Sequence, residues 1–146
     1  MRVLVVDDDQ ETLEIFFSLL QLWGHEVRVL SEPVLALPVA LEFVPDIVFL
    51  DISMPEIDGC QVAVLMRQHK ALDSTFLVAV TGYGSKEDHE RTHAAGFDVH
   101  LVKPVEPRNL QLLLKRRLYP APRMRQPGNP TLTSSAASGT APTRTP

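Results

Sequence analysis

Five side chains that could act together on a phosphoryl group are spread along this 146-residue chain. Asp7 and Asp8 follow the first apolar run, Asp51 a later one, and Thr81 and Lys103 the last two. Carboxylate oxygens are preferred ligands of Mg²⁺, a hard ion that often bridges to phosphate. A hydroxyl and an ammonium beside them would bind further phosphoryl oxygens and neutralise the charge that develops during transfer.

Each of these side chains also has a simpler interpretation. The acids at 7–9 could be a helix-capping cluster, and Asp9 is expected to cap a helix. Asp51 and Thr81 could be turn residues, and Lys103 could be a solvated charge at a strand end. The elements that carry these residues decide between the two interpretations, because a shared site requires that they meet at one place.

The apolar periodicity predicts five strands that alternate with five helices. Continuous apolar runs predict strands that are covered on both faces, and spacings of three and four predict helices. We expect strands at 2–6, 26–30, 46–50, 75–80 and 98–102, and helices at about 10–23, 32–43, 59–70, 86–95 and 107–118. This alternation predicts an α/β fold with a five-stranded parallel sheet and helices on both faces. The carboxyl ends of such strands share one edge, where ligands bind, so the five side chains should meet there.

Local signals give finer expectations. Ser31 and Ser85 are expected to cap the second and fourth helices. Pro38 lies inside the second helix and is expected to kink or shorten it. Gly59 is expected to help reverse the chain after the third strand, because glycine tolerates positive φ. The expected buried stripe of the third helix consists of Val62, Leu65 and Met66.

Charge and composition exclude several classes of function. Residues 1–118 hold all 18 acidic and 11 of the 14 basic residues, so their net charge is −7. An acidic domain without a basic stripe argues against direct nucleic-acid binding. A single cysteine, Cys60, excludes an internal disulfide and the usual multi-cysteine metal patterns. No segment is typical of a signal peptide or a membrane span, so we expect no membrane contact and a cytoplasmic protein.

The end of the chain differs in character from the rest. Residues 119–146 hold six of the twelve prolines, many Ser, Thr and Ala residues, and no periodicity. Such a segment cannot bury enough apolar surface to offset the entropy of ordering. We therefore expect one folded domain over 1–118 and a disordered tail over 119–146.

Four motifs, in this order and spacing, resemble one known family: VVDDD, FLDISMPEIDG, VTGYG and HLVKP. They are similar to the receiver domain of two-component response regulators, and the resemblance covers residues 2–118. It implies a flavodoxin-like (βα)5 fold with strand order 2-1-3-4-5. It also implies acceptance of a phosphoryl group from a phosphohistidine of a sensor histidine kinase or histidine phosphotransfer protein. Such a protein catalyses only its own phosphorylation and dephosphorylation, and is not an enzyme that turns over a separate substrate.

Carried over to this sequence, the resemblance assigns a role to each acidic residue. Asp51 would be the phosphorylated aspartate. Asp8 would bind Mg²⁺ directly and Asp7 would bind it through water, while the backbone carbonyl of Ser53 would complete the protein ligands.

The resemblance also assigns roles at the last two strands. Thr81 would contact the phosphoryl group and shift on phosphorylation, and Lys103 would pair with it. Pro104 would shape the following loop through a cis peptide bond. Family members place a switch aromatic on the last strand, and the aligned residue here is His100. Histidine can still fill the space that Thr81 vacates, although a surface strand histidine is the simpler interpretation.

Two further positions tune the loss of the phosphoryl group in such domains, and here they are Ser53 and Tyr83. Neither side chain is the acid or amide that best orients an attacking water, and Tyr83 could shield the site. We expect a long-lived phosphorylated state that lasts minutes to hours or more.

Because no output domain follows residue 118, the signal should leave by protein contact. The expected route is the face of the fourth helix, fifth strand and fifth helix, near Tyr83, His93, His100 and Val105. This face could also support a homodimer on phosphorylation. The alternatives of a stand-alone, chemotaxis-regulator-like protein and a receiver from a hybrid kinase stay open, and the Met1 start favours the first.

Two other functions compete with the phosphoacceptor hypothesis. A haloacid-dehalogenase-type phosphatase also uses Asp, Mg²⁺, Thr and Lys, but Glu11 stands where its first motif needs Thr or Val. A phosphorylation-independent adaptor with the receiver fold would not need an intact Asp8, Asp51, Thr81 and Lys103. No glycine-rich phosphate loop follows the first strand, so nucleotide binding has no support.

Overall fold

The computed structural model of the chain describes residues 1–82 and 84–118. The predicted disordered tail, 119–146, and Tyr83 lie outside the described residues. Within the described part, strands and helices alternate five times. The strands are β1 Arg2–Val6, β2 Glu26–Leu30, β3 Ile47–Asp51, β4 Phe76–Thr81 and β5 Val99–Val102. The helices are α1 Gln10–Leu22, α2 Ala36–Phe43, α3 Gly59–Arg67, α4 Lys86–Ala95 and α5 Pro107–Leu118.

All five strands are parallel and lie in the order β2-β1-β3-β4-β5. This arrangement confirms the predicted flavodoxin-like (βα)5 fold and its strand order. The central strand β3 is buried along its whole length, whereas β2 alternates between exposed and half-buried residues. That difference follows from position, because β2 lies at the edge of the sheet and β3 at its centre.

Two apolar layers cover the sheet, one on each face. One layer packs α2, α3 and α4 against residues such as Val48 and Leu50. The other packs α1 and α5 against Phe49 and its neighbours, with the Phe16 and Phe49 rings 5.3 Å apart between centroids. Burying a side chain like Phe49, which is 1% exposed, contributes about 1.5–3 kcal/mol. Because successive side chains of β3 enter opposite layers, the register of β3 is fixed, and with it the position of Asp51 at the carboxyl end of the strand.

The structure corrects the predicted start of the second helix. A 3₁₀ turn spans Pro33–Leu35 with Glu32 at its N-cap, so Ser31 is not the cap. The α-helix α2 begins at Ala36, which places Pro38 in its first turn. Proline is tolerated there, because the first turn needs no intrahelical donor. Pro38 therefore limits the helix to eight residues and no interior kink is required.

Other local predictions have mixed outcomes. Ser85 caps α4 as expected and accepts a hydrogen bond from the Asp88 N–H at 3.1 Å. On α3, Val62 and Met66 are buried, but the prediction for Leu65 is wrong because its side chain is exposed. The helix also ends at Arg67, before the predicted end at about residue 70, and a separate 3₁₀ turn follows over Lys70–Leu72. Among the described residues, no helix is long and apolar enough to cross a membrane.

Candidate functional site

The carboxyl edge of the sheet gathers the predicted site residues. Asp51 is the last residue of β3 and Thr81 the last of β4. The register pairs Asp51 with Val80 and Thr81 with Val102. Lys103 therefore comes directly after the end of β5, next to Thr81. Asp7 comes immediately after β1. The parallel sheet thus brings together residues that lie far apart in the sequence, as predicted.

Three carboxylates form a compact cluster at this edge. Ligand oxygens of Asp7, Asp8 and Asp51 all lie within 4.8 Å of one another. Asp7 and Asp51 are buried, at 2% and 4% exposure, whereas Asp8 is exposed. Oxygen ligands of this kind, with one open side, fit Mg²⁺, which keeps several waters and uses one or two carboxylates. The donor set therefore fits the ion that the sequence predicted.

Asp7 and Asp51 are held in the same manner. The Asp7 Oδ1 accepts a hydrogen bond from the Asp9 N–H at 2.9 Å, and the Asp51 Oδ1 accepts one from the Ser53 N–H at 3.0 Å. In each residue the other oxygen, Oδ2, faces the ammonium of Lys103. A backbone donor two residues ahead fixes each carboxylate in an Asx-type turn. One oxygen of each group is thereby oriented and the second points into the site.

Lys103 lies between the two buried carboxylates. Its Nζ is 3.0 Å from Asp7 Oδ2 and 3.5 Å from Asp51 Oδ2. Its backbone N–H donates to the Thr81 carbonyl at 2.7 Å, which fixes the chain at the end of β5. Burial disfavours the ammonium, but the hydrogen bond to Asp7 and the charge of Asp51 together raise the pKa of Lys103. The peptide bond to Pro104 is cis, as the resemblance implied.

Asp51 is electrostatically unusual. Burial raises the pKa of Asp51 to about 6, and the neighbouring charge of Asp7 adds to the rise. The Ser53 hydrogen bond and the Lys103 charge act in the opposite direction. Crowded carboxylates at a cleft are a feature of functional sites, because a bound cation or a chemical step can relieve the repulsion.

Gly59 has a different structural role from the one predicted. Its φ is not positive, and the left-handed residue of the loop is Glu56, with φ of 70°. A Cβ at Gly59 would lie 2.8 Å from the Ile52 Cα and would overlap the carbonyl oxygen of Asp51. Glycine is required because the start of α3 packs directly on the end of β3. We call residues 52–58 the acceptor loop, since they join Asp51 to this helix.

The predicted N-cap at Asp9 is confirmed in position but wrong in its bonding. Asp9 precedes α1 in an extended conformation, yet its side chain accepts no capping hydrogen bond from the backbone. Its Oδ2 accepts instead from the Thr12 hydroxyl at 2.6 Å, and that bond lowers the pKa of Asp9.

His100 lies half-buried on β5 and contacts α4. Its Nδ1 is 3.2 Å from the hydroxyl of Thr92. Its ring stacks on the His89 ring, with centroids 4.1 Å apart and planes 24° apart. Thr81, the other predicted switch residue, is fully buried. His100 is thus a partly exposed strand histidine whose side chain also packs against α4.

An apolar cavity of about 360 Å³ opens beside Lys103. It is lined by Thr12, Ile15, Phe16, Lys103, Pro104 and Val105. Ile15 and Leu22 of α1 are 55% and 79% exposed. Seven residues apart, they lie on one side of the helix. An apolar surface thus extends along α1 from the candidate site.

Sequence reasoning missed one ion pair next to the site. Arg91 Nη2 of α4 binds Asp58 Oδ2 of the acceptor loop at 2.6 Å. The partners are 33 residues apart, and neither lies in a pattern that predicts the other. A hint was available only for Asp58, whose position before α3 is typical of an N-cap.

The fold and the site define a class of protein. The chain is an α/β protein whose doubly wound parallel sheet places three carboxylates at the carboxyl ends of β1 and β3 and a lysine directly after the edge strand β5. Proteins of this architecture bind their ligands at the carboxyl ends of the strands.

The sequence identifies the family within that class. Residues 3–115 match the response regulator receiver domain family, and the chain belongs to it. The chain is 29% identical to the polar-differentiation response regulator DivK of Brucella ovis over 103 residues, which cover 70% of this chain and 84% of DivK.

Solved structures agree with this assignment. The chemotaxis protein CheY4 of Vibrio cholerae is 29% identical, with a TM-score of 0.76 over 79% of this chain and 96% of CheY4. The BeF3-activated receiver domain of DrrB is 26% identical, with a TM-score of 0.72 over 80% of this chain and 96% of that chain. The receiver-domain hypothesis, with its place in two-component signalling, is thereby confirmed.

Proposed function

We propose that this chain accepts a phosphoryl group on Asp51 from a phosphohistidine of a sensor histidine kinase or a histidine phosphotransfer protein. The observation that carries the proposal is the shared orientation of Asp7 and Asp51. Each is held through Oδ1 by a backbone N–H, and each presents Oδ2 to Lys103. Membership of the receiver family supports the same conclusion.

In the proposed reaction the Asp51 Oδ2 attacks phosphorus and the P–N bond to the donor imidazole breaks. The electron pair of that bond leaves with the imidazole nitrogen, and an acyl phosphate forms on Asp51. The hydrogen bond from Ser53 N–H holds Oδ1, so Oδ2 is the oxygen left to react. Lys103, 3.5 Å from Oδ2, would neutralise charge on the transferring group. Thr81, at the end of β4, would bind a further phosphoryl oxygen.

Asp8, Asp7, Asp51 and the Ser53 carbonyl would hold Mg²⁺. When bound, this ion supplies positive charge to the phosphoryl oxygens and relieves the repulsion among the carboxylates. Asp8 is the exposed member of the cluster and is therefore the one that an ion from solvent reaches first. Asp7 is buried and already pairs with Lys103, which suits the predicted indirect role through water.

The donor must cover the surface around Asp51, and the apolar cavity beside Lys103 is the part of that surface best suited to protein contact. Exposed apolar patches mark interaction sites. Ile15→Asp should slow transfer from a phosphorylated histidine phosphotransfer protein and leave the reaction with acetyl phosphate unchanged. Val34→Asp is the matched control, because Val34 is equally exposed at 58% but precedes α2 on the other face of the sheet.

Output is proposed to leave through the face formed by α4, β5 and α5, which could also form a homodimer on phosphorylation. The packing of His100 against His89 and Thr92 supports this route, because a shift at β5 would be passed directly to α4. The proposed folded unit is 1–118, with 119–146 as a tail, and the proposed location is the cytoplasm. A long-lived phosphoryl group, tuned by Ser53 and Tyr83, remains a prediction.

The deciding experiment is incubation with acetyl phosphate and Mg²⁺, followed by intact-mass measurement. We expect a gain of one phosphoryl group, which Asp51→Asn and chelator both abolish. No gain under any condition would favour the phosphorylation-independent adaptor. A turnover assay on small phosphoesters tests the phosphatase alternative, which the match to the receiver family over 3–115 does not support.

A further inference from the structure

One contact joins the proposed phosphorylation site to the proposed output face without passing through the sheet. Arg91 projects from α4 and binds the carboxylate of Asp58, at the end of the acceptor loop, at 2.6 Å. The same helix carries His89 and Thr92, which contact His100 on β5. Neighbouring residues of α4 therefore contact both the acceptor loop and β5.

Asp58 is the N-cap residue of α3. Its Oδ1 accepts the Gln61 N–H at 2.9 Å, and the Gln61 side chain in turn accepts the Asp58 N–H at 2.9 Å. These two bonds form a complete capping box. The second carboxylate oxygen, Oδ2, is the one that binds Arg91. Asp58 thus uses separate oxygens for its own helix and for α4.

The start of α3 is in turn packed on the end of β3, next to Asp51. Gly59 N–H donates to the Ile52 carbonyl at 3.3 Å, and its backbone leaves no room for a Cβ against Asp51. A displacement of Asp58 therefore displaces the backbone next to Asp51 and Ser53. The path from Arg91 to the reacting carboxylate is short and consists of contacts that the structure shows.

We propose that Arg91 is a positioning residue, which braces the acceptor loop for Mg²⁺ binding and phosphoryl acceptance and couples that loop to α4. The proposal rests on the proposed function and deepens it. Arg91 does not touch the reacting atoms, so it acts through Asp58. A one-ångström error in a positioned group can slow a reaction strongly, although its partner lies outside the chemistry.

The competing explanation is an ordinary surface ion pair. Arg91 and Asp58 side chains are 49% and 33% exposed, and such pairs often contribute little to stability. The two explanations differ in what they predict. If the pair is an ordinary surface ion pair, its removal changes neither Mg²⁺ affinity nor phosphorylation rate. If Arg91 positions the acceptor loop, removal of the pair lowers both in protein that remains folded.

The test compares Arg91→Ala, Arg91→Lys, Asp58→Asn and the double variant Arg91→Ala/Asp58→Asn. Asparagine caps helices about as well as aspartate, so Asp58→Asn removes the charge and keeps α3 capped. Glu42→Gln is the matched control, since it breaks the exposed Arg28–Glu42 pair, which lies on β2 and α2. The full chain is used throughout, with phosphorylation by acetyl phosphate, Mg²⁺ affinity by calorimetry and unfolding by urea.

We expect Arg91→Ala and Asp58→Asn each to slow phosphorylation and weaken Mg²⁺ binding by about threefold to tenfold. The double variant should be no worse than either single one, because both remove the same contact. Arg91→Lys should recover part of the loss, and Glu42→Gln should match the wild type. Urea midpoints should change little.

The proposal is overturned if Arg91→Ala matches the wild type in both rate and Mg²⁺ affinity, or if the two single effects add in the double variant. A slower rate that only follows a loss of folded protein would overturn it too. If the wild type gains no phosphoryl group, the proposed function fails and Mg²⁺ affinity alone decides on Arg91. Absence of Mg²⁺ binding as well would overturn both.

Discussion

The two edges of the sheet are built from similar charged residues and arranged in opposite ways. At the amino edge, long arginine side chains tie loops together. Arg67 donates to the Gly96 carbonyl, the Leu72 carbonyl and the Asp98 carboxylate, at 3.0, 3.0 and 2.9 Å. Arg117 donates to the carbonyls of Asp46 and Ser74.

At the carboxyl edge, by contrast, charge is concentrated and only partly compensated. Three carboxylates lie within 4.8 Å of one another, and Lys103 contacts the two buried ones. Active sites commonly sacrifice stability in this way, since the groups that bind a ligand repel one another without it. The comparison indicates that this fold gains stability at its amino edge and keeps its carboxyl edge available for chemistry.

The largest effect is expected at the amino edge. Arg67→Ala removes three hydrogen bonds from a charged donor, two of them to partly buried carbonyls, and it should lower the free energy of unfolding by about 2–4 kcal/mol. Urea denaturation measures this change, and Arg116→Ala, an exposed change on α5, is the control. Phosphorylation per folded molecule should stay near the wild-type rate. A stability change as small as that of the control would break the comparison.

Gly59→Ala should affect both properties, because it acts where the backbone of α3 meets that of Asp51. Its new Cβ would overlap the Asp51 carbonyl, and such overpacking costs about 1–3 kcal/mol. We expect slower phosphorylation by acetyl phosphate as well, since the end of β3 at Asp51 must shift. Gly82→Ala is the matched control, because a Cβ there meets nothing within 4 Å. Equal stability and rate in both variants would show that the close approach is unimportant.

Local patterns were sufficient to predict the alternating elements, the parallel sheet and most of the carboxyl edge, whereas the strand order was implied by the resemblance to receiver domains. Continuous apolar runs such as 47–50 are typical of buried strands, and a parallel sheet then brings Asp51, Thr81 and Lys103 to one edge. These residues lie directly at strand ends, so their positions follow from the backbone alone.

The contacts of long side chains could not be predicted in this way. Arg67 reaches acceptors up to 31 residues away, and Arg91 reaches Asp58 across 33. A flexible side chain on an exposed helix face gives no periodic signal for its partner. Gly59 shows a related limit, since a glycine required for close packing looks the same in sequence as one required for positive φ.

The smallest effect, and the one of opposite sign, is expected at Asp51. Burial raises the pKa of Asp51 from 3.8 to about 6, so between these values the folded protein binds more protons than the unfolded chain. The free energy of unfolding of metal-free protein should therefore fall as pH rises through that interval. Asp51→Asn should remove this decline and stabilise the metal-free protein at pH 8, because the amide stays neutral where the carboxylate would be charged.

Mg²⁺ should reverse the pH dependence of the free energy of unfolding. This reversal distinguishes repulsion among the carboxylates from a general effect of pH on stability. The ion competes with protons for the carboxylates, and its stabilisation grows with the ratio of ion concentration to dissociation constant. Urea midpoints measured from pH 4 to pH 8 should thus fall with pH in chelator and rise with pH in excess Mg²⁺. Asp51→Asn should show neither slope at full size. The contrast between the two edges would fail if the urea midpoints of the wild type depended on pH in the same way in chelator and in Mg²⁺. The carboxylates at the carboxyl edge would then not repel one another measurably, and their charge would be as well compensated as that of the acceptors around Arg67.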